Sequence, residues 1–212
     1  MKVKEMELRH PLPLRLFHWA NMISITILTL TGFYIHAPLD FPIFSSMDNA
    51  RFFHFLFAMV LCVGVVGRVY YAIAMKDYVH VWPNLKKDIK DFPSMIKYYT
   101  FLADSHPDYG KYNPGQKMMY SGWLFLALIQ IFTGFILYSP NSGWGWAMAS
   151  ASFLGGFVWI RMIHLIVTWL FVITVMMHVY LDLSEGIPVL MSMFTGKIPK
   201  GFHHTEEHEA EA

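Results

Sequence analysis

Four long apolar runs, at residues 16–36, 52–75, 118–138 and 158–181, alternate with polar text along the chain. Each approaches the ~20 residues an α-helix needs to cross a ~30 Å hydrocarbon layer, so each predicts a membrane-spanning helix. The connections between them differ in kind. Residues 37–51 turn to Pro38, Asp40, Pro42, Ser45, Ser46 and Asp48, a short polar link. Residues 76–117 are charged and aromatic, and within them Leu85, Ile89, Phe92, Ile96 and Tyr99 recur at three- and four-residue steps between lysines and aspartates. That period predicts a short amphipathic helix on the membrane surface, interrupted or restarted at Pro93. Residues 139–157 carry no charge but hold Pro140, Asn141, Gly143, Gly145, Gly155 and Gly156, which reads as a loop with a short interfacial segment. The charged first ten residues lead into a full-length apolar run with no cleavage pattern, as in a retained N-terminus and not a signal peptide. The expected architecture is an all-α integral membrane four-helix bundle forming one domain over residues 1–202. Residues 203–212 follow as an acidic tail expected to be disordered.

Composition sharpens this. Of 212 residues, 55% are hydrophobic and 17% aromatic, and only 15% are charged. A soluble domain usually carries about 25% charge, so a water-soluble globule is excluded. A net charge of +1 excludes an electrostatic nucleic-acid binder. The distribution of charge is more informative than its sum. Thirteen of the sixteen Lys and Arg residues lie before the first run, between the second and third, or after the fourth, with Arg51 and Arg161 on the opposite side. That bias places both termini and the long loop of a multi-pass membrane protein in the cytoplasm. The lone Cys62 excludes an intramolecular disulfide, a cysteine-ligated iron–sulfur cluster and covalent haem attachment. Any redox centre or metal therefore has to be held by histidine.

Ionisable residues at membrane depth are functional candidates by default, and four histidines fall inside the runs. His18 opens the first at the cytoplasmic side. His54 opens the second and His164 stands early in the fourth, both at the far side, and His178 stands late in the fourth, back at the cytoplasmic side. They form two layers of two. The 14 residues from His164 to His178 amount to about 21 Å of helical rise and return to within about 40° of the same face. One helix thus offers an imidazole to each layer, and other helices offer the second. Two facing imidazoles per layer are what a bis-histidine haem requires, which implies two haems of b type. Arg15, Arg51 and Arg161 each stand three residues before a candidate ligand, where a guanidinium can pair with a haem propionate or simply mark the end of a span. Gly32, Gly64, Gly67, Gly122 and Gly134 either admit a flat macrocycle or serve ordinary helix packing. His36 shares the face of His18 at the outer interface and is the reserve outer ligand. His10, His80 and His106 read as solvated.

The chain resembles the bacterial di-haem cytochrome b subunits of membrane-bound respiratory oxidoreductases, above all the nickel–iron hydrogenase type, which is related to bacterial cytochrome b561. The matching text is Pro-Leu-Arg-Leu-Phe-His-Trp at 13–19, Thr-Gly-Phe-Tyr-Ile at 31–35, Ala-Arg-Phe-Phe-His-Phe at 50–55 and Phe-Thr-Gly-Phe-Ile-Leu-Tyr at 132–138. His-Leu-Ile-Val-Thr-Trp at 164–169, His-Val-Tyr-Leu at 178–181 and Ser-Met-Phe-Thr-Gly at 192–196 complete it. The resemblance implies axial pairing of His18 with His178 and of His54 with His164. It further implies a non-catalytic anchor that takes electrons from the iron–sulfur small subunit of a periplasm-facing dehydrogenase, itself bound to a catalytic large subunit, and passes them to menaquinone or ubiquinone. Lys-Tyr-Asn-Pro-Gly-Gln-Lys at 111–117 is closer to the γ subunit of formate dehydrogenase. That likeness implies a quinone site at Asn113, Gly115 and Gln116 with His178 nearby, although Asn113 and Pro114 also suit a helix start. A γ subunit of a formate dehydrogenase or thiosulfate reductase type complex is the alternative within this class. A haem-free transporter or anchor with proton-relay histidines is the alternative from another.

Overall fold

The computed structural model describes residues 5–103, 109 and 111–202. Four helices in it have the length and apolarity to cross a membrane: α1 (Leu12–His36), α2 (Met47–Ala74), α5 (Pro114–Ser142) and α7 (Phe157–Ser184). Between them lie α3 (Tyr78–Val81), α4 (Leu85–Tyr99) and α6 (Gly145–Phe153), and α8 (Ile187–Thr195) follows α7. Two three-residue strands, β1 (Met6–Leu8) and β2 (Lys197–Pro199), pair antiparallel with Glu7 opposite Ile198. The four expected spans are all present as helices. Val63, Val66, Ile73, Val158, Ile173 and Met176 are among many large apolar side chains these helices expose, which suits lipid as the surrounding solvent.

The long helices outrun the apolar runs because local polar chemistry, more than hydropathy, sets their ends. At α5 the Asn113 side-chain oxygen accepts from Gln116 N–H at 2.8 Å, and the Gln116 side-chain oxygen accepts from Asn113 N–H at 3.1 Å. This reciprocal capping box, with Pro114 supplying the first helical residue, starts the helix four residues before the expected span. Within the helices, Ser24, Thr26 and Thr174 donate their hydroxyls back to the carbonyls of Ala20, Met22 and Leu170, so that these three do not face hydrocarbon unsatisfied.

The chain divides into two compact units, to which all four long helices contribute. The first comprises the described parts of Met1–His18, Tyr70–Ser121 and Met176–Ala212. Its core gathers Met95, Tyr99 and Leu181, with Phe92, Tyr98, Tyr109 and Met119 against them. Helix α4 is pinned by Asp88, only 2% exposed, whose carboxylate meets Lys117 at 3.1 Å and accepts from Asn84 N–H at 2.6 Å. Gly196 ends α8 with φ of 82° and accepts from the backbone of Arg9 and His10 at 2.9 and 3.1 Å. A Cβ there would lie 2.9 Å from the His10 carbonyl oxygen, so both the conformation and the close approach call for glycine.

The second unit, Trp19–Val69 with Gly122–Val175, holds two apolar clusters. Ile136, Ala147, Ala151 and Ile160 form one, seating α6 on α5 and α7; Ala127, Val167 and Phe171 form the other, with Ile25 and Val65 against them. Two side-chain hydrogen bonds cross from α5 to α7, Trp123 to Thr174 at 2.8 Å and Gln130 to Thr168 at 2.9 Å. Gly64 faces the Asn21 side chain so closely that a Cβ would overlap it, an ordinary packing role.

Two sequence expectations, on Pro93 and on His10, need correction, and some elements were not expected at all. Helix α4 runs unbroken through Pro93, whose side of the helix forgoes one backbone bond without ending it. Helix α8 and the two-stranded sheet have no counterpart in the hydropathy pattern. His10 is not solvated: it is 7% exposed, with its ring stacked on Tyr112. The acidic stretch 203–212 and His106 lie outside the described residues.

Candidate functional site

Each unit contains one histidine pair. In the first, His18 of α1 faces His178 of α7 with ring centres 6.3 Å apart and planes inclined by 62°. In the second, His54 of α2 faces His164 of α7 at 6.4 Å and 59°. Both pairs match the layers expected from depth along the runs, and His36, exposed at the end of α1, belongs to neither. Among the described residues no three His, Cys, Asp or Glu side chains gather into a metal-holding group, so each site is a pair and not a cluster.

The spacing bears on whether haem fits. A metal bound between two imidazoles at about 2 Å from each nitrogen, with each ring centre roughly 1 Å further out, sets the centres roughly 6 Å apart. Both observed separations leave room for one iron between two imidazoles, and two neutral imidazole nitrogens are the donor set that a bis-histidine haem would take.

The surroundings of the two pairs differ. In the second unit, His54 Nδ1 lies 2.9 Å from Thr31 Oγ1, and His164 Nδ1 lies 2.8 Å from Thr133 Oγ1. The next residue in each case is glycine; a Cβ at Gly32 would meet His54 Cε1 at 3.4 Å, and one at Gly134 would meet His164 Cε1 at 3.5 Å. In the first unit, His178 Nε2 stands 3.4 Å from the Asp182 carboxylate one turn along α7, and the Tyr120 ring centre is 6.4 Å from that of His178. The threonines escaped the sequence reading. Their signal was the tripeptide Thr-Gly-Phe, present at 31–33 and again at 133–135.

The three arginines that precede candidate ligands have different surroundings. Arg15 donates to the Phe194 carbonyl at the end of α8, Arg51 pairs with Asp48 at 3.3 Å on an exposed surface, and Arg161 is exposed. Asn113 and Gln116 are buried at 3% and 5% exposure, and their side-chain oxygens serve the capping box. The Asn113 amide also donates to Tyr99 Oη at 2.9 Å and to Glu185 at 3.2 Å, and the Tyr99 hydroxyl donates to the same carboxylate. Burial, and then the Glu185 charge, push the Tyr99 hydroxyl far above the ordinary tyrosine range. Gly115 N–H is covered by Met95, whose sulfur lies 3.2 Å away. Nearby, burial and then the charges of Arg9 and Lys111 lower the pKa of His10 to about 3, so this ring is neutral in the folded protein.

Comparison with known proteins shows which family the chain is similar to. A family model described as prokaryotic cytochrome b561 matches residues 9–196. A probable Ni/Fe-hydrogenase B-type cytochrome subunit of Azotobacter vinelandii is 32% identical over 86% of this chain and 82% of its own. A protein of the same description from Rhizobium leguminosarum is 30% identical over 87% of this chain and 85% of its own. A probable Ni/Fe-hydrogenase 1 B-type cytochrome subunit of Escherichia coli K12 is 28% identical over 82% of this chain and 81% of its own.

Proposed function

The chain belongs to the prokaryotic cytochrome b561 family, and on that premise we propose that it anchors a periplasm-facing hydrogenase and carries its electrons through two b haems to the quinone pool. Membership makes it a multi-pass cytochrome b of the bacterial inner membrane with an electron-transfer role. The proposal adds the number of haems, the direction, the acceptor and the partner.

The observation that carries it is the pair of histidine separations, 6.3 and 6.4 Å, each suited to one iron. Haem b supplies a one-electron couple at its iron when bound. His54 and His164 hold the outer group, and His18 and His178 hold the inner one. Arg15, Arg51 and Arg161 stand one turn from His18, His54 and His164, at the distance along a helix from which a guanidinium can pair with a propionate. The bias of lysine and arginine toward one side supports cytoplasmic termini, with the outer pair on the periplasmic side. The names of the relatives support a hydrogenase as donor, its iron–sulfur small subunit being the chemically suited neighbour and its large subunit the catalytic one. A formate dehydrogenase or thiosulfate reductase type of partner is the second reading, favoured only by residues 111–117.

The quinone, menaquinone or ubiquinone, is assigned to Asn113, Gly115 and Gln116 in the unit that also holds His178. Because the oxygens of Asn113 and Gln116 cap α5, the Gln116 amide nitrogen is the group left to meet a quinone carbonyl. Gln116→Glu keeps the capping oxygen and removes that donor. Quinone reduction by the intact complex should fall at least several-fold with both haems retained, and unaltered turnover would move the site elsewhere.

The whole reading is tested by a dithionite-reduced-minus-oxidised spectrum with haem extraction. A b-type α band and about two haems per chain are expected. Absence of haem would favour the transporter or anchor alternative.

A further inference from the structure

We propose that Thr31 and Thr133 are positioning residues that fix the tautomer and ring plane of His54 and His164, so that each ring turns an unprotonated Nε2 toward the iron. The inference rests on the haem reading above and extends it to two residues that do not themselves touch the cofactor.

A hydroxyl has one hydrogen to give and two lone pairs to receive with. Thr31 gives its hydrogen to the Ile27 carbonyl at 2.7 Å, and Thr133 gives its hydrogen to the Ile129 carbonyl at 2.7 Å. With that hydrogen committed, each Oγ1 can only accept from the imidazole nitrogen 2.9 or 2.8 Å away. Nδ1 is therefore the protonated nitrogen of both rings. In a neutral imidazole the other nitrogen, Nε2, then carries the lone pair that a metal takes.

Bonding of a threonine hydroxyl to its own helix is ordinary in itself, and Ser24 and Thr26 do so without facing any histidine. What points beyond packing is repetition. On two different helices the hydroxyl oxygen sits against Nδ1, the residue after it is a glycine, and that glycine sets bare backbone against Cε1 of the same ring. The two contacts hold each ring at two adjacent atoms, Nδ1 and Cε1.

An imidazole that donates Nδ1–H to an acceptor gains basicity at Nε2, which favours ferric over ferrous iron. Thr133→Val has nearly the same shape and lacks the acceptor; Thr133→Ser keeps it. In the detergent-solubilised holoprotein, potentiometric titration should resolve two b-haem components, the outer one being that lost in His164→Ala. Thr133→Val should move the outer component alone to higher potential, change its low-spin electron paramagnetic resonance g values and release its haem about 10-fold more readily. Thr133→Ser should behave as wild type. If Thr133→Val does not accumulate, Thr31→Val gives the same readout on the partner ligand. An outer component unmoved in potential and g values by valine, or moved equally by serine, would overturn the inference while leaving the haem reading intact. A wild-type protein without bis-histidine haem signals would instead overturn the reading beneath it.

Discussion

Histidine is the residue on which this protein turns, and its eleven copies divide by environment. Four were legible as ligand candidates because an imidazole at membrane depth is costly without a role. His10 was misjudged for an equally physical reason: flanking charges and a proline suggest water, but the backbone bonds of Arg9 and His10 to Gly196 draw the segment under α8, where burial keeps the ring neutral. The folded pKa of about 3 lies below the unfolded value of 6.5. His10 therefore contributes its full stability above pH 6.5, and loses it as pH falls from 6.5 toward 3, because the unfolded chain binds the proton first. The difference in unfolding free energy between wild type and His10→Phe should decline over that window, at no more than about 1.4 kcal/mol per pH unit. Parallel pH profiles of thermal unfolding for the two proteins would contradict this. Thr31 and Thr133 were illegible singly, since threonine in an apolar helix most often only satisfies itself; the repeated Thr-Gly-Phe was the available sign.

At the level of elements, hydropathy located the four long helices and the period of three and four residues located α4. Neither could give α8 or the strands. Ile187–Thr195 is too short for a span, and a three-residue strand has no pattern of its own; its pairing depends on the partner 190 residues away in the chain. The attachment of α4 is likewise a tertiary matter. Its buried Asp88 looked like one charge on a solvated face, yet it binds Lys117 and the first turn of its own helix. Asp88→Ala leaves the Lys117 ammonium and Asn84 N–H without that acceptor, at a cost of about 1–3 kcal/mol because Lys117 keeps some access to solvent. The variant should be cut by protease between α2 and α5 several-fold faster than wild type, with haem content unchanged. A control at exposed Lys86, Lys86→Gln, should leave the cutting rate alone. Equal rates for all three proteins would show that Asp88 does not hold α4.

For the molecule as a whole, low charge, apolar length and paired histidines converge on a membrane cytochrome b, as family membership states independently. The identity of the donor is less legible, because the surface that meets a partner is chosen by that partner and carries no fixed spacing comparable to the 14 residues between His164 and His178. The central claim is that two separate histidine pairs hold one haem each. The most direct test is haem content and the reduced-minus-oxidised spectrum of His164→Ala beside wild type. About two b haems per wild-type chain are expected, and in the variant the loss of one spectral component with the other unchanged in potential. Loss of both components together, or retention of both, would contradict the pairing of His54 with His164.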